Sequence, residues 1–329
     1  MDVPNRRVIL ALLLPFILVM FGMPPLWAQE KYPSREIELV IPWAPGGVSD
    51  IVGRIFANEL AKGLKSPVTP INKAGGSGTI GATSALKARK DGYTAMIGSL
   101  GWLVGSILLE DIPYDPLRDF IPLANISSTP RCIFVRSDSP YRNLEDLIAK
   151  AKKSPKSISC GTGGAASDSN FALQIFQKAA GVEFTIVPFK GGGETPPAVL
   201  GGHVDVGILT LASVINFVKA GNMRALVVSG AKRLKDLPDV PTFKEKGFTQ
   251  TYLDNWNGLF LPAGVPQYAI DTLASASEKA IKSKESAVVI ERTTSTVDYM
   301  AGAEYRRMVE NERSTIETIA SEIGVKIKK

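Results

Sequence analysis

The chain has 329 residues, is 45% hydrophobic and 21% charged, and carries a net charge of +6. That composition is globular and excludes disordered, collagen-like and coiled-coil classes. A chain of this length buries about 75% of its unfolded surface and tends to divide into two lobes.

Arg6 and Arg7 precede a nearly unbroken apolar run from Val8 to Phe21, and Pro24-Pro25-Leu26-Trp27-Ala28 follows. A membrane-spanning helix needs about 20 apolar residues. The shorter run, ending at a small residue, predicts a signal peptide over residues 1–28, cleaved after Ala28. An uncleaved anchor is the alternative. Cleavage would remove Asp2, Arg6 and Arg7 and lower the net charge from +6 to +5. The expected location is the periplasm.

Glu36 to Ile41 reads as a strand entering the turn Pro45-Gly46-Gly47, with Ser49 or Asp50 able to cap a helix to Leu64. A strand at Pro67–Ile71, the turn Gly75-Gly76-Ser77-Gly78, a helix to about Arg89 and a strand at Tyr93–Ile97 follow. This order predicts a parallel, doubly wound α/β sheet. The same grammar restarts after Pro130. Strands are predicted at Cys132–Arg136, Ser157–Cys160, Phe184–Val187, Val204–Leu209 and Arg224–Val228, with helices over Asn143–Lys153 and Ser167–Ala180 and a short one after Gly193. Beyond Pro238 a strand near Gly258–Leu261 precedes helices near Pro266–Lys282 and Ala303–Ile323. The expected organisation is residues 29–128 plus 231–329 as lobe 1 and 129–230 as lobe 2, with two crossings and a cleft between.

Every Gly-rich loop falls at a strand's carboxyl end, where open α/β sheets bind ligands. Glycine permits close backbone approach, and a helix N-terminus presents unpaired N–H groups to an anion. An ordinary capped turn is the alternative at each loop. The match Gly76-Ser77-Gly78-Thr79-Ile80-Gly81 to a dinucleotide fingerprint lacks its acidic partner, because the next strand ends Met96-Ile97-Gly98-Ser99. No nucleotide cofactor is expected. His203, the sole histidine, lies in a glycine turn, and no G-x-S-x-G elbow exists. With Cys132 and Cys160 the only cysteines, there is no zinc site. A disulfide between them and two free thiols are both open. Catalytic residues and metal ligands are expected to be absent. Lys190 can reach an anion. Trp43 and Trp102 can cover an apolar part of a ligand, or pack in the core.

Taken together, the loops resemble those of the receptors of tripartite tricarboxylate transporters, the Bug-type family. The resemblance covers nearly the whole chain after residue 31. It is carried by Pro42-Trp43-Ala44-Pro45-Gly46-Gly47-Val48-Ser49-Asp50, by Asn72-Lys73-Ala74-Gly75-Gly76-Ser77-Gly78-Thr79-Ile80-Gly81 and by Asp91-Gly92-Tyr93-Thr94. Pro113-Tyr114-Asp115-Pro116, Val187-Pro188-Phe189-Lys190-Gly191, Gly201-Gly202-His203-Val204-Asp205 and Leu237-Pro238-Asp239-Val240-Pro241-Thr242 add to it. It implies a two-lobed periplasmic-binding-protein fold of type II, a Venus flytrap closing on a small organic carboxylate for membrane permease subunits. Such a protein is a monomer, not an enzyme, and binds no nucleic acid. The resemblance implies ligand contact in lobe 1 at Gly46, Gly47, Ser49 and Asp50 and at Ser77, Gly78 and Thr79, and the loop positions add Trp43, Ser99 and Trp102 to the expected site. In lobe 2 it implies Gly161, Thr162, Ser167 and Asn170, then Asp205 and Thr210, and Lys190 joins them as a cation within reach of an anion. Where many members carry a histidine, Asn170 stands; where many carry Asp-Asn, Leu209-Thr210 stands. These departures predict a less charged second-lobe pocket, suited to a monocarboxylate or to an acid with an apolar or aromatic body. Presentation of a ligand to a membrane sensor is the alternative function, and an exported α/β hydrolase using Cys160 or a serine is the third.

Overall fold

The computed structural model describes residues 32–108, 112–165, 167–230, 232–248, 254–322 and 324. The expected signal peptide lies outside them. In the first sheet, β1 (Ile37–Ile41), β2 (Val68–Asn72), β3 (Thr94–Ser99) and β4 (Phe120–Thr129) run one way. The late strands β10 (Asn255–Pro262) and β11 (Thr296–Ala301) run against them, and the order is β11-β4-β10-β3-β1-β2. The second sheet has the order β7-β6-β8-β5-β9, from β5 (Arg131–Arg136), β6 (Ser159–Thr162), β7 (Thr185–Pro188), β8 (Val206–Thr210) and β9 (Met223–Val228). Only β5 opposes its neighbours. Both sheets are therefore mixed: β1, β2 and β3 run parallel as expected from their alternation with helices, and antiparallel strands join them. The strand that returns from the other sheet enters antiparallel.

The helices are α1 (Val48–Leu64), α2 (Thr79–Lys87), α3 (Leu100–Leu108), α4 (Leu144–Lys153), α5 (Asp168–Ala180), α6 (Thr195–Leu200), α7 (Ile215–Lys219), α8 (Gln267–Ile281), α9 (Lys284–Arg292) and α10 (Gly302–Glu322). On one face of the first sheet, Leu39, Ile41, Leu259 and Leu261 pack with Phe56 of α1 and Leu273 of α8. On the other face, Val40, Met96 and Phe260 pack with Trp102 of α3 and Tyr305 of α10. That second apolar body continues into the second sheet through Phe171 and Phe176 of α5. The opposite face of the second sheet packs Cys132 and Phe134 against Val199 of α6 and Ile215 of α7.

Several elements escaped the sequence reading. Helix α3 (LGWLVGSIL) is apolar all round and buried from Leu100 to Ile107, so it shows no amphipathic period. Strands β4 and β11 and helices α7 and α9 were also not predicted. The segment 232–248, expected in lobe 1, packs on the second sheet instead. The Phe243 amide donates to the Val228 carbonyl (2.9 Å) and its ring packs at a tilt against Phe176, and Leu237 and Val240 join the apolar cluster of α6 and α7.

The chain passes between sheets at Pro130, from the carboxyl end of β4 to the start of β5. It returns between Val228, at the end of β9, and Asn255, at the start of β10. Since β5 and β10 run against their neighbours, both crossings leave from carboxyl edges. Those two edges, with their glycine loops, consequently face one another.

Candidate functional site

At the first edge, β1 leads into residues 42–47, which are exposed from Ala44 to Gly47. Gly46 has φ +85, a conformation that costs glycine little. The N-cap of α1 is Gly47, and no side chain caps it. Asp50 holds this loop. Its Oδ2 accepts from the Gly46 amide (2.9 Å), and its Oδ1 accepts from Asn72 Nδ2 (2.8 Å) and Arg54 Nε (2.9 Å). Asn72 Nδ2 also donates to the Trp43 carbonyl (2.9 Å). Burial pushes the Asp50 carboxyl up, but the bonds from Arg54, Gly46 and Asn72 outweigh it and hold it below the usual carboxylate range. Asp50 is 3% exposed with both oxygens committed. It therefore positions the loop, a correction to its expected place in contact with ligand. Ser49 is also buried.

The second loop is strained. Gly75, Gly76, Ser77 and Gly78 all have positive φ, and for Ser77 (φ 51) that conformation costs about 1–2 kcal/mol. Stored strain of this kind gathers at functional loops. The N-cap of α2 is Gly78, again with no side-chain cap, while the Thr79 hydroxyl donates to the Gly76 carbonyl (2.7 Å). The Trp43 ring lies over Gly78 and Gly101; a Cβ on those residues would stand 3.5 and 3.2 Å from it. This half-buried indole thus packs both cap loops together.

Ser99 and Trp102 face inward. Ser99 is 1% exposed. Trp102 is fully buried in α3, its Nε1 donating to Tyr114 Oη (2.9 Å) and its ring edge-on to Phe120 and Phe260. Of the two roles expected for Trp102, the structure gives core packing, which corrects its placement among cleft residues.

At the second edge, Gly161 and Thr162 end β6, and the loop beyond turns into α5. Ser167 caps α5 by accepting from the Asn170 amide (3.1 Å), and Ser169 Oγ accepts from the Gly163 amide (2.8 Å). Asn170 Nδ2 donates to the Ala165 carbonyl (2.6 Å). Thr210 ends β8 on the same edge, its hydroxyl 3.1 Å from that of Ser213. Lys190 follows β7 there and is exposed.

Asp205 does not belong to this edge. It precedes β8 and accepts from the amide (2.8 Å) and hydroxyl (2.7 Å) of Ser159, the first residue of parallel β6. That places it at the far end of the sheet, a correction to its expected role.

The sequence reading missed Arg131. It is the only buried lysine or arginine among the described residues, opposite Thr210 at the start of β5. Its Nη2 lies 2.7 Å from Asp168 Oδ2 on α5. Its amide donates to Ser229 Oγ (2.6 Å), and Ser229 in turn donates to Asp254, so both crossings are tied together. Burial pushes the Asp254 carboxyl up to about 6, against the bond from Ser229 and the charge of Arg131. The signal in the sequence was a charged residue opening an apolar strand, after a proline.

Buried polar atoms without a hydrogen-bond partner gather at the same edges. Asn257 is fully buried with both side-chain amide atoms unpaired; it registers with Ser99 on β3 and with Ser127 on β4, whose hydroxyl is also unpaired. Trp43 Nε1 is a further case at this edge, and Thr162 Oγ1 and Asn170 Oδ1 are cases at the second. Native folds leave few such groups, and each calls for an explanation.

Cys132 and Cys160 are free, buried thiols. They register with Leu209 and Val206, on β8's two sides. Two strand spacings of about 4.8 Å separate them, beyond the reach of a disulfide. Burial pushes the Cys132 thiol up to about 12 and raises Cys160 further. His203 is exposed in its turn. Among the described residues no group of His, Cys, Asp and Glu could hold a metal ion, and no helix is long and apolar enough to cross a membrane. A wide groove of about 690 Å³, lined by Lys152, Gln174, Lys178 and Glu322, lies away from the loops and contains none of the expected residues.

Comparison with known proteins agrees with this architecture. A family model described as "Tripartite tricarboxylate transporter family receptor" matches residues 52–325. Protein BugT of Bordetella pertussis is 28% identical over 303 residues, covering 92% of this chain and 93% of its own. A solved Rhodopseudomonas palustris structure with adipate superposes with a TM-score of 0.78 at 28% identity, covering 89% of this chain and 99% of that one. MatC from Rhodopseudomonas palustris, with bound malate, gives 0.73 at 27% identity, covering 88% and 99%. The two facing sheets are the two lobes of a periplasmic-binding-protein fold, and the chain belongs to the Bug-type receptor family of tripartite tricarboxylate transporters.

Proposed function

We propose that this protein is a periplasmic, non-enzymatic receptor that binds a small organic carboxylate between its lobes and hands it to a tripartite tricarboxylate-type permease. The observation that carries this reading is the pair of glycine-capped helices α1 and α2, whose first amides no side chain satisfies, side by side at the first carboxyl edge. The open first turn of α1 and the dipoles of both helices favour an anion there, although at α2 the Thr79 amide is taken by the Gly76 carbonyl. The amides of Gly47 and Ser49, with Ser77, hold the carboxylate, while Gly46, Gly78 and Thr79 shape the two loops, their amides donating to Asp50 and to the Gly75 and Gly76 carbonyls. Gly161, Thr162, Ser167, Asn170, Lys190 and Thr210 meet the rest of the ligand. The adipate and malate held by the two solved relatives support the class of ligand. The buried thiols, the solvent-facing histidine and the missing base argue against hydrolysis. Ligand binding would favour the closed arrangement through its contacts with both lobes.

Native mass spectrometry of protein purified after export tests this reading. A bound organic acid, lost on denaturation, is the expected result. A neutral sugar or a metal ion retained in its place would refute it.

A further inference from the structure

The two lobes offer opposite chemistry to a ligand, and the contrast lies in how their helices begin. In the first lobe the amides opening α1 and α2 have no side-chain cap. In the second, α5 is capped by Ser167, and Asp168 stands in its first turn with Oδ1 accepting from the Ser169 amide (3.0 Å). The place at which α5 would attract an anion is filled by the protein's own carboxylate.

Arg131 does not reverse this. Its guanidinium is bonded to Asp168 Oδ2, and the side chains are 3% and 22% exposed respectively. The member of the pair that looks outward is the acid. The next unpaired group is also an acceptor. Asn170 Nδ2 is spent on the Ala165 carbonyl, which fixes the amide's orientation and leaves Oδ1 over. Lys190 is the cation on this edge that could oppose these groups, and it is exposed to water.

Resting on the carboxylate-receptor reading, we infer that the ligand is anionic at one end only. Its carboxylate faces the first lobe. Toward Asp168 and Asn170 it presents an uncharged or cationic hydrogen-bond donor, such as a hydroxyl, an amide N–H or an ammonium. A second carboxylate there would meet Asp168 and an unpaired carbonyl oxygen, and like charges at close range exclude a partner by unfavourable contact.

Matched acids test this by calorimetry on the purified protein. One series is hexanoate, its ω-hydroxy and ω-amino derivatives, and adipate. The other is benzoate, its para-hydroxy and para-amino derivatives, and terephthalate. In whichever series binds, the donor-bearing acid should bind most tightly and the diacid at least about tenfold more weakly. Asp168→Asn keeps the side chain's shape and removes its charge, so it should narrow that gap. A wild-type protein that binds the diacid as tightly as its monoacid counterparts overturns the inference, whether or not the variant folds, and leaves the carboxylate reading standing. If no acid of either series binds at about 10 mM, the carboxylate reading itself falls, and this inference with it.

Discussion

The indole N–H of Trp256, on β10, donates to the carboxylate of Glu312 on α10. The indole is 2% exposed and Glu312 is half-buried, so this bond holds the acid at the border of the apolar layer between the first sheet and its longest helix. Burial pushes the Glu312 carboxyl up to about 8; the bond from Trp256 acts against the shift and the nearby charge of Asp254 adds to it.

A pH dependence follows from that pairing. An unfolded chain loses the glutamate proton near pH 4.3, whereas the folded protein keeps it until about pH 8. Between these values the native state binds more protons, so this acid's contribution to stability falls as pH rises. Asp254, up to about 6, adds a smaller loss of the same sign. Urea unfolding at a series of pH values should show stability declining from about pH 5 to pH 8, and Glu312→Gln should flatten the curve. A wild-type curve as flat as the variant's would show that the carboxyl is solvated.

Asn72 is the strut of the first cap loop, holding Asp50 and the Trp43 carbonyl with one nitrogen. Asn72→Ala removes both bonds, and the one its Oδ1 accepts from Arg54 (2.6 Å), at a position already partly exposed. The expected cost to stability is about 1 kcal/mol, while affinity for the bound acid should drop roughly tenfold as the loop loses its set geometry. Unchanged affinity in titration would mean that loop geometry does not govern binding.

Two glycines should respond in opposite senses to the same substitution. A Cβ on Gly81 would stand 2.8 Å from Pro42 Cα and 2.9 Å from the Lys73 carbonyl oxygen, with backbone on both sides. Gly81→Ala should cost about 1–3 kcal/mol and weaken binding, because Pro42 opens the cap loop. On Gly63, near the end of α1, a Cβ meets nothing closer than 3.8 Å. Gly63→Ala should stabilise by about 0.5–1 kcal/mol through helix propensity alone, with binding unaffected. Thermal melts of the two variants would settle the pair.

The thiols give a test of compactness. Both are buried and shifted away from ionisation, so a thiol-reactive dye should find neither in the folded protein and two after unfolding. Cys160→Ala should bind the ligand as the wild type does. Rapid labelling under native conditions would contradict the described core.

The glycine loops and their neighbouring strands were legible from the sequence, because turn residues and strand–helix alternation are local signals. What was not legible depends on distant partners. Helix α3 hides its period by being apolar on every side. The antiparallel entry of β10 is decided by a strand that leaves the sheet and returns after more than one lobe of sequence. Asp205 entered the expected site through the resemblance, but direction along β8 puts it at the opposite end of the sheet. Asp50, Arg131 and Asp168 divide into a loop strut and a half-buried ion pair only once the crossings bring their elements together. A single charge at the head of an apolar strand was the visible trace of that arrangement.

The junction at Pro130 carries an arithmetic of its own. β4 and β5 form one extended run separated by a single residue, and side chains on a strand alternate faces. Cys132 and Phe134 face α6 and α7, while Ile133 and Val135 face α4 and α5. One residue added after Pro130 would turn the whole of β5 over, exchanging the two faces and swinging Arg131 away from Asp168. Two added residues would restore the faces. The tolerance of this junction to change is thus a matter of parity rather than length: odd insertions invert the second lobe, even ones merely lengthen its tether.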